Sequence, residues 1–312
     1  MGKTMLNRRQ KQLLVIIGVV AALLLAVAVG LLAILLRKPG STGPAGGASG
    51  QVATMGLGEA LGSKLQGEQA QKLNGYANVA DFGAVPGDGK DDTAAFEAAA
   101  KTGYSLFVPA GEYRLERPIA LNGQGLTGCG AQATRIVSAA RDAAAPIFYL
   151  GGCVTVSDLA IGYDPALLTG SEKEGERVAL QAGAAVPLRY GSTVRSVCFE
   201  NVGTAILVDP AKNGGGNGAV FEQIMVRNFT FRGIDLRTDG SGCNALRSIS
   251  VRDSGDGADC AVYLGGGQAD VLDQLIARNC RLKNGVTVAP KAEAVVRGLS
   301  FEQCTLSGKE LA

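Results

Sequence analysis

A short pattern of apolar and polar residues recurs through the second half of the chain. Each copy reads apolar-x-x-apolar-x-apolar-x and is followed by a polar residue, usually Asn or Asp. Clear copies begin at Val194, Phe221, Leu246, Leu272 and Val296, and a weaker copy begins at Val156. Successive starts are 38, 27, 25, 26 and 24 residues apart. Strand-like alternation repeated at a period near 25 predicts a solenoid of short stacked strands.

A second apolar strand follows the first in four of these copies. These second strands cover residues 206–208, 234–236, 262–264 and 286–288. One coil then contains at least two strands and their turns, and parallel strands joined by such crossovers form right-handed coils. The pattern therefore predicts an all-β domain that is a right-handed, single-stranded parallel β-helix.

Stacked coils would bring equivalent positions of successive copies about 4.8 Å apart. One predicted buried column consists of Val197, Ile224, Ile249, Leu275 and Leu299. A predicted polar column consists of Asn201, Asn228, Asp253, Asn279 and Gln303. We expect this polar column to form a hydrogen-bonded ladder at an inward turn, as stacked amides do in cross-β structures.

A turn-rich segment with a short helix precedes the repeats. An alanine-rich stretch predicts the helix, which Asp91 or Asp92 can cap at the N-terminus and Gly103 can end. A strand at 104–108 and a second short strand around Tyr113 are expected to follow.

Five short motifs occur in order within this segment. They are Asp-Phe-Gly-Ala at 81–84, Gly-Asp-Gly at 87–89, Asp-Asp-Thr at 91–93, Phe96, and Pro-Ala-Gly-Glu-Tyr at 109–113. Together they resemble the opening segment of the pectate-lyase-like (pectin-lyase-like) superfamily, in its rhamnogalacturonase/epimerase-type branch, which is related in fold to phage tailspikes. The resemblance implies that the helix caps the first rung of a β-helix and that the protein acts on or binds polysaccharide.

The N-terminal part of the chain predicts a membrane anchor. Residues 1–12 contain four basic residues and no acidic one, and residues 13–36 are 24 consecutive apolar residues. A helix of this length measures about 36 Å and can span a hydrocarbon core of about 30 Å. It is longer than the apolar region of a cleaved secretory signal, so we predict a transmembrane signal anchor, with cleavage as the alternative. The positive-inside rule then makes 1–12 a cytoplasmic tail, 37–75 a flexible linker or stalk, and 76–312 an extracytoplasmic β-helix domain.

Composition narrows the possible chemistry. The net charge of +2 argues against a nucleic-acid partner. The chain contains no histidine, which excludes Ser-His-Asp triads, Cys-His pairs and histidine metal ligands. The seven cysteines include no Cys-x-x-Cys and predict neither a structural zinc site nor a disulfide framework. We expect most of them to be small buried apolar residues.

Charged residues near the second strands are the candidates for chemistry. The resemblance implies either a lyase, in which carboxylates hold Ca²⁺ and a basic residue takes a proton, or a hydrolase with paired carboxylates. The candidate catalytic residues are Asp235, Asp239, Asp256 and Asp259. The candidate substrate-binding residues are Arg232, Arg237 and Arg252, and the candidate Ca²⁺ ligands are Asp256 and Asp259. The hydrolase signature is incomplete, and the ordinary alternative is that these acids only form turns.

Two functions stay open at this stage. The first is a membrane-anchored, extracytoplasmic protein that acts on or binds polysaccharide, as a lyase or glycoside hydrolase without histidine if it is an enzyme. The second is a non-catalytic structural or adhesive spike, assembled as a homo-oligomer such as a trimer.

The repeat also predicts an insertion at 165–189, which would form a loop on one face. The last copy leaves no room for a complete second strand at 308–312, so we expect the β-helix to be truncated at its C-terminal end.

Overall fold

The computed structural model describes residues 75–183, 188–189, 191–209, 211, 218–237, 243–266, 270–290 and 292–308. The predicted cytoplasmic tail, transmembrane anchor and nearly all of the predicted linker lie outside these residues and stay predictions. Within the described ranges, no helix is both long enough and apolar enough to cross a membrane.

Short parallel strands make up nearly all of the regular structure. The described strands are β1 (Tyr76–Asn78), β2 (Ser105–Phe107), β3 (Gly111–Leu115), β4 (Ile119–Asn122), β5 (Leu126–Thr127), β6 (Thr134–Ser138), β7 (Phe148–Gly151), β8 (Thr155–Tyr163), β9 (Val178–Ala182), β10 (Thr193–Val208), β11 (Val220–Leu236), β12 (Ala245–Arg252), β13 (Ala258–Leu264), β14 (Asp270–Arg278), β15 (Arg281–Val288), β16 (Ala294–Glu302) and β17 (Thr305–Leu306). The described helices are α1 (Thr93–Ala100) and the 3₁₀ turns Val79–Phe82 and Pro165–Leu167. The strands stack into a parallel β-solenoid of about eight turns, as predicted.

The buried column predicted from the repeat is confirmed. Val197 pairs with Ile224, Ile224 with Ile249, Ile249 with Leu275, and Leu275 with Leu299. The second strands also stack in the predicted register. The right-handed sense of the coil stays a prediction from the crossover rule.

Two residues of each regular coil adopt a left-handed backbone conformation, and they bend the strand at two corners. In β10 these are Ser196, with φ 53°, and Asn201, with φ 54°. The equivalent pairs in later coils are 223 and 228, 248 and 253, 274 and 279, and 298 and 303. The first corner explains the spacing of the repeat. Val194 and Val197 both point into the core although they are three positions apart, because the corner residue between them adds one position.

The predicted polar ladder forms in part, as two hydrogen-bonded pairs, and it faces outward. Asn228 Nδ2 donates to Asn201 Oδ1 at 2.6 Å, and Asn279 Nδ2 donates to Asp253 Oδ1 at 2.8 Å. The prediction of an inward turn is wrong, because four of the five side chains in the column are exposed. The second corner places the apolar residues on either side of it in the core and directs the corner side chain to solvent. Asn and Asp suit this corner because they tolerate the left-handed conformation.

Helix α1 covers the first coil, as the sequence predicts. Phe96 of α1 is fully buried and packs edge-on against Tyr113, with ring centroids 5.9 Å apart. Gly103 adopts a φ of 78° just after the helix, and its N–H donates to the carbonyl of Ala100. The helix therefore ends where the glycine was expected to end it.

The two acidic residues before α1 have different partners. Asp91 accepts the N–H of Thr93 at 2.9 Å and so satisfies a free amide of the first helical turn. Asp92 occupies the N-cap position but makes no capping hydrogen bond there. Its carboxylate accepts the N–H groups of Val85 and Arg114 instead, which fastens the preceding loop to the first coil.

The insertion predicted at 165–189 is too long. Strand β9 lies inside it, pairs with β7 and β10, and has five buried residues. This strand takes a regular place in the stack because its apolar side chains fill the core at that level. Residues 164–177, which connect β8 to β9, leave the stack, and we call them the 164–177 loop.

Candidate functional site

One outward-facing column of the solenoid contains a carboxylate that is almost fully covered. The two corners divide each coil into faces. We call the face that follows the second corner the third face, and in β10 it consists of residues 204–208. Leu207, Asp235 and Tyr263 occupy equivalent positions on this face in successive coils. The residues on either side of Asp235 point into the core, so its own side chain points outward. Asp235 is nevertheless only 1% exposed.

Asp235 is held by two arginines from its own coil. Its Oδ2 accepts hydrogen bonds from an Arg232 terminal nitrogen at 2.8 Å and from an Arg237 terminal nitrogen at 2.8 Å. Its Oδ1 accepts from Arg237 Nε at 3.0 Å. Such charge-assisted bonds offset the cost of removing a carboxylate from water. Because both of its oxygens accept hydrogen bonds from arginine, Asp235 holds the two arginines in position.

Arg232 connects this carboxylate to the next coil. Its Nε donates to Asp259 Oδ2 at 2.6 Å, and its guanidinium lies 4.0 Å from the ring centroid of Tyr263. Burial alone lowers the pKa of Arg232, but Asp235 and Asp259 outweigh burial and raise the pKa above its ordinary value. The guanidinium therefore stays charged, and its stacking on the Tyr263 ring is a cation–π contact.

Arg237 connects the same carboxylate to the 164–177 loop. Its guanidinium forms an ion pair with Glu174 of that loop and lies 5.5 Å from the ring centroid of Tyr263. Glu172 of this loop is 6% exposed, accepts hydrogen bonds from the Thr169 hydroxyl at 3.0 Å and from Gly170 N–H at 3.2 Å, and is also hydrogen-bonded to Thr230 of β11, which attaches the loop to the solenoid. The loop thereby brings a third carboxylate to the third face.

Gly265 allows the aromatic ring to approach this closely. A Cβ at position 265 would lie 2.4 Å from the Tyr263 ring and 3.1 Å from Cγ of Arg237. Contacts this short require the ring to move, so any larger residue at 265 would displace the surface that Tyr263 presents.

The structure brings together four of the seven sequence-predicted residues: Arg232, Asp235, Arg237 and Asp259. We call these four residues, together with Tyr263 and Glu174, the Arg232 cluster. Asp239 lies outside the described residues, so its place stays a prediction.

Two other predicted residues lie apart from the Arg232 cluster. Asp256 has a side chain that is 79% exposed and forms an ion pair with Arg281. Arg252 ends β12, where it stacks between Arg227 and Arg278. Its nearest carboxylate in the described residues, that of Asp253, is 3.9 Å from its Nε and too distant for a hydrogen bond.

Sequence reasoning missed two members of the Arg232 cluster. Tyr263 could have been found from the register, because it stacks directly on Asp235. Glu174 belongs to the charged Ser-Glu-Lys-Glu-Gly-Glu-Arg segment at 171–177, but its contact with Arg237 spans 63 residues. No period in the sequence predicts a contact of that kind.

The two predicted calcium ligands, Asp256 and Asp259, have different partners in the structure. Asp259 is bound to Arg232 and Asp256 to Arg281, so the two carboxylates have different cationic partners. Across the described part of the chain, no three acidic or cysteine side chains converge on a point where a metal ion could bind. Calcium usually takes six to eight oxygen ligands. Binding of Ca²⁺ therefore stays a prediction that only a titration will test.

Comparison with known families agrees with the opening motifs. Residues 76–150 match the family model described as rhamnogalacturonase A/epimerase, pectate lyase-like. The resemblance to the pectate-lyase-like superfamily is therefore confirmed over this segment. No curated protein matches the chain.

The chain is similar to several solved structures. The catalytic unit of a thermostable GH87 α-1,3-glucanase from Streptomyces thermodiastaticus strain HF3-3 is 21% identical with a TM-score of 0.57, and the match covers 74% of this chain and 41% of that one. The Agl-KA catalytic domain is 19% identical with a TM-score of 0.50, and the match covers 74% of this chain and 46% of that one. Bacteriophage phi29 gene product 12, in its pre-mature form, is 16% identical with a TM-score of 0.46, over 77% of this chain and 36% of that one. The chain spans less than half the length of each of these structures.

Proposed function

We propose that this protein binds a polysaccharide on the third face of its solenoid, at the Arg232 cluster. The observation that supports the proposal is the arrangement of Tyr263 between two arginines and three carboxylates on an outward-facing surface. Polysaccharide chains are long and regular, and this face of the solenoid repeats in register from coil to coil.

The chemistry of the cluster suits sugar hydroxyls. Asp259 and Arg237 each keep 22% of their side chains exposed, and Glu174 keeps 52% exposed. Carboxylates accept hydrogen bonds and guanidinium groups donate them, while each sugar hydroxyl does both. Asp235 fixes the arginines in place, so little conformational entropy is lost when a ligand binds. Aromatic rings beside a few fixed polar groups are the usual lining of ligand sites.

The charge of the cluster favours a neutral glycan. Two arginines face the carboxylates of Asp235, Asp259 and Glu174, which leaves a formal charge of −1 if all five groups are ionised. An acidic polysaccharide would be repelled by this balance, and its carboxylates would compete with those that already hold the arginines. The α-1,3-glucanase that shares the fold is named for a glucan, which is a neutral polymer.

Asp259 is the group that we assign to any catalytic step. It is partly exposed, whereas both oxygens of Asp235 are occupied. A glycoside hydrolase needs a second carboxylate on the opposite side of the scissile bond. Glu174 of the 164–177 loop is the exposed candidate for that role. We therefore keep hydrolysis as the second candidate function, after binding.

The proposal includes an anchor in the membrane. The length of the apolar segment 13–36 and the basic residues before it support a single-pass anchor with the β-helix outside the cytoplasm. Alkaline carbonate extraction of cell membranes should leave the full chain in the pellet and release a variant that lacks 13–36. Light scattering of the purified chain distinguishes a monomer from the alternative homotrimeric spike.

Binding is tested with the full-length chain in mild detergent. Retention is measured on an insoluble α-1,3-glucan, with dextran and polygalacturonate as competitors, and released reducing ends are assayed in the same samples. We expect Tyr263→Ala and Asp259→Ala to weaken glucan binding about tenfold, equivalent to about 1.4 kcal/mol. Asp256→Ala, which alters an exposed acid outside the cluster, is the matched control. Equal retention by all four proteins would contradict the proposed site.

A further inference from the structure

Two cysteines occupy equivalent positions in the last two described coils. Arg278 pairs with Glu302 and Arg281 pairs with Thr305, so the register places Cys280 opposite Cys304. The N–H of Thr305 donates to the Cys280 carbonyl at 2.9 Å, which fixes the two backbones beside each other. Each thiol donates a hydrogen bond to the equivalent carbonyl of its own coil, Cys280 to Arg278 at 3.2 Å and Cys304 to Glu302 at 3.3 Å.

The spacing of the coils fits a covalent link between these cysteines. Neighbouring parallel strands lie about 4.8 Å apart. Disulfides join cysteines whose Cα atoms are roughly 4.4–6.8 Å apart. Both residues follow a left-handed corner residue, Asn279 and Gln303 respectively, so they leave the corner in the same direction.

The two thiols differ in exposure. Cys280 is fully buried, whereas Cys304 is partly exposed. Burial raises the pKa of Cys280 to about 11. A soluble oxidant therefore reaches Cys304 first, and the register places Cys304 beside Cys280 as its partner.

We propose that Cys280 and Cys304 form a redox-active pair that closes to a disulfide between adjacent coils. The oxidant is a small disulfide such as glutathione disulfide. The Cys304 thiolate attacks one sulfur of this molecule, which forms a mixed disulfide and releases one glutathione thiolate. Cys280 then loses its proton to solvent, and its thiolate attacks the Cys304 sulfur and releases the second glutathione. The two cysteine sulfurs are oxidised, and the two glutathione sulfurs are reduced.

The link would join the coil that contains Cys280 to the coil that contains Cys304. In a stacked repeat each coil is held mainly by its neighbour. A disulfide that closes a 24-residue loop restricts the unfolded chain and so stabilises this coil.

The test uses the purified full-length chain, incubated with glutathione disulfide and with dithiothreitol in parallel. After oxidation we expect the number of free thiols per chain at Cys280 and Cys304 to fall from two to zero. Tryptic digestion without reductant should yield residues 279–281 joined to residues 298–309. The oxidised chain should melt several degrees above the reduced chain. In Cys304→Ser both the linked peptide and the shift in melting temperature should be absent.

Cys129→Ser supplies the matched control, because Cys129 is an exposed cysteine far from the pair in the sequence. This variant should still give the linked peptide. Recovery of Cys304 as a stable mixed disulfide with glutathione would overturn the proposal, since it would show that Cys280 does not reach it. The proposal would also fail if Cys129 became modified in the wild-type chain while Cys280 and Cys304 both stayed reduced.

Discussion

The guanidinium of Arg232 and the carboxylate of Asp235 lie three residues apart on one strand and meet at 2.8 Å, on the outside of the solenoid yet shielded from water. An arginine and an aspartate at this spacing on a flat strand would point to opposite faces. Gly233 lies between them, where an added Cβ would be 2.4 Å from the carbonyl oxygen of Ala261 in the next coil. The two coils therefore approach closely at Gly233, and a side chain at that position would not fit.

Removal of the shared carboxylate should destabilise the domain. In Asp235→Ala, Arg232 and Arg237 lose their common acceptor while they stay largely buried. We expect the free energy of unfolding to fall by about 3 kcal/mol, because breaking a buried ion pair leaves an uncompensated charge. Urea denaturation followed by circular dichroism measures the change. Asp256→Ala, at a mostly exposed ion pair, should change it by less than about 0.5 kcal/mol, and an equal loss in both variants would contradict the structural role of Asp235.

The position of the Tyr263 ring should depend on Gly265. Gly265→Ala places a methyl group against the ring and displaces it, so glucan binding should weaken. A double-mutant cycle separates this effect from general damage, because in a Tyr263→Ala background there is no ring left to displace. Gly265→Ala should then cost little further affinity. Fully additive losses of glucan affinity in the double variant would show that Gly265 does not act through the Tyr263 ring.

The exposed ladder should contribute to stability through both backbone conformation and hydrogen bonding. Asn228 has a φ of 52° and donates to Asn201. Asn228→Ala should lower the free energy of unfolding by about 1–2 kcal/mol, since alanine resists the left-handed region and removes the bond. Asn228→Gly restores the backbone freedom but not the hydrogen bond, so the free energy of unfolding should fall by less in this variant than in Asn228→Ala. Thermal melts of the wild-type chain and the two variants give their order of stability. Equal melting temperatures for the alanine and glycine variants would contradict this account.

The attachment of the 164–177 loop should depend on pH. Burial alone raises the pKa of Glu172, but hydrogen bonds from Thr230 and Thr169 outweigh burial and lower the pKa below its ordinary value of 4.5. A lowered folded-state pKa means that this stabilisation is complete above about pH 5 and is lost as the pH falls through the folded value. Limited proteolysis with an acid-active protease should therefore cut the loop faster below pH 4 than at pH 5. Glu172→Gln should remove that pH dependence, and an unchanged profile in the variant would contradict the assignment.

Part of the candidate site could be predicted from the sequence because it depends on the repeat. Arg232 and Asp259 are 27 residues apart, close to one period, so stacking alone brings them within reach. Asp256 is only three residues from Asp259, yet it pairs with Arg281, and no alternation rule distinguishes the two acids. The direction of a side chain beside a turn depends on the backbone angles of that turn, which composition does not specify.

The sequence by itself determined the solenoid, its register and its capping helix. Each coil contacts mainly the next one, so a local pattern of apolar residues at a constant period is enough to define the stack. The tertiary structure alone decided that Asp235 is buried, that its carboxylate is shared by two arginines, and that Glu174 completes the cluster from 63 residues away. Burial of an outward-facing residue depends on which loop folds over it, and a loop has no period from which its path could be predicted.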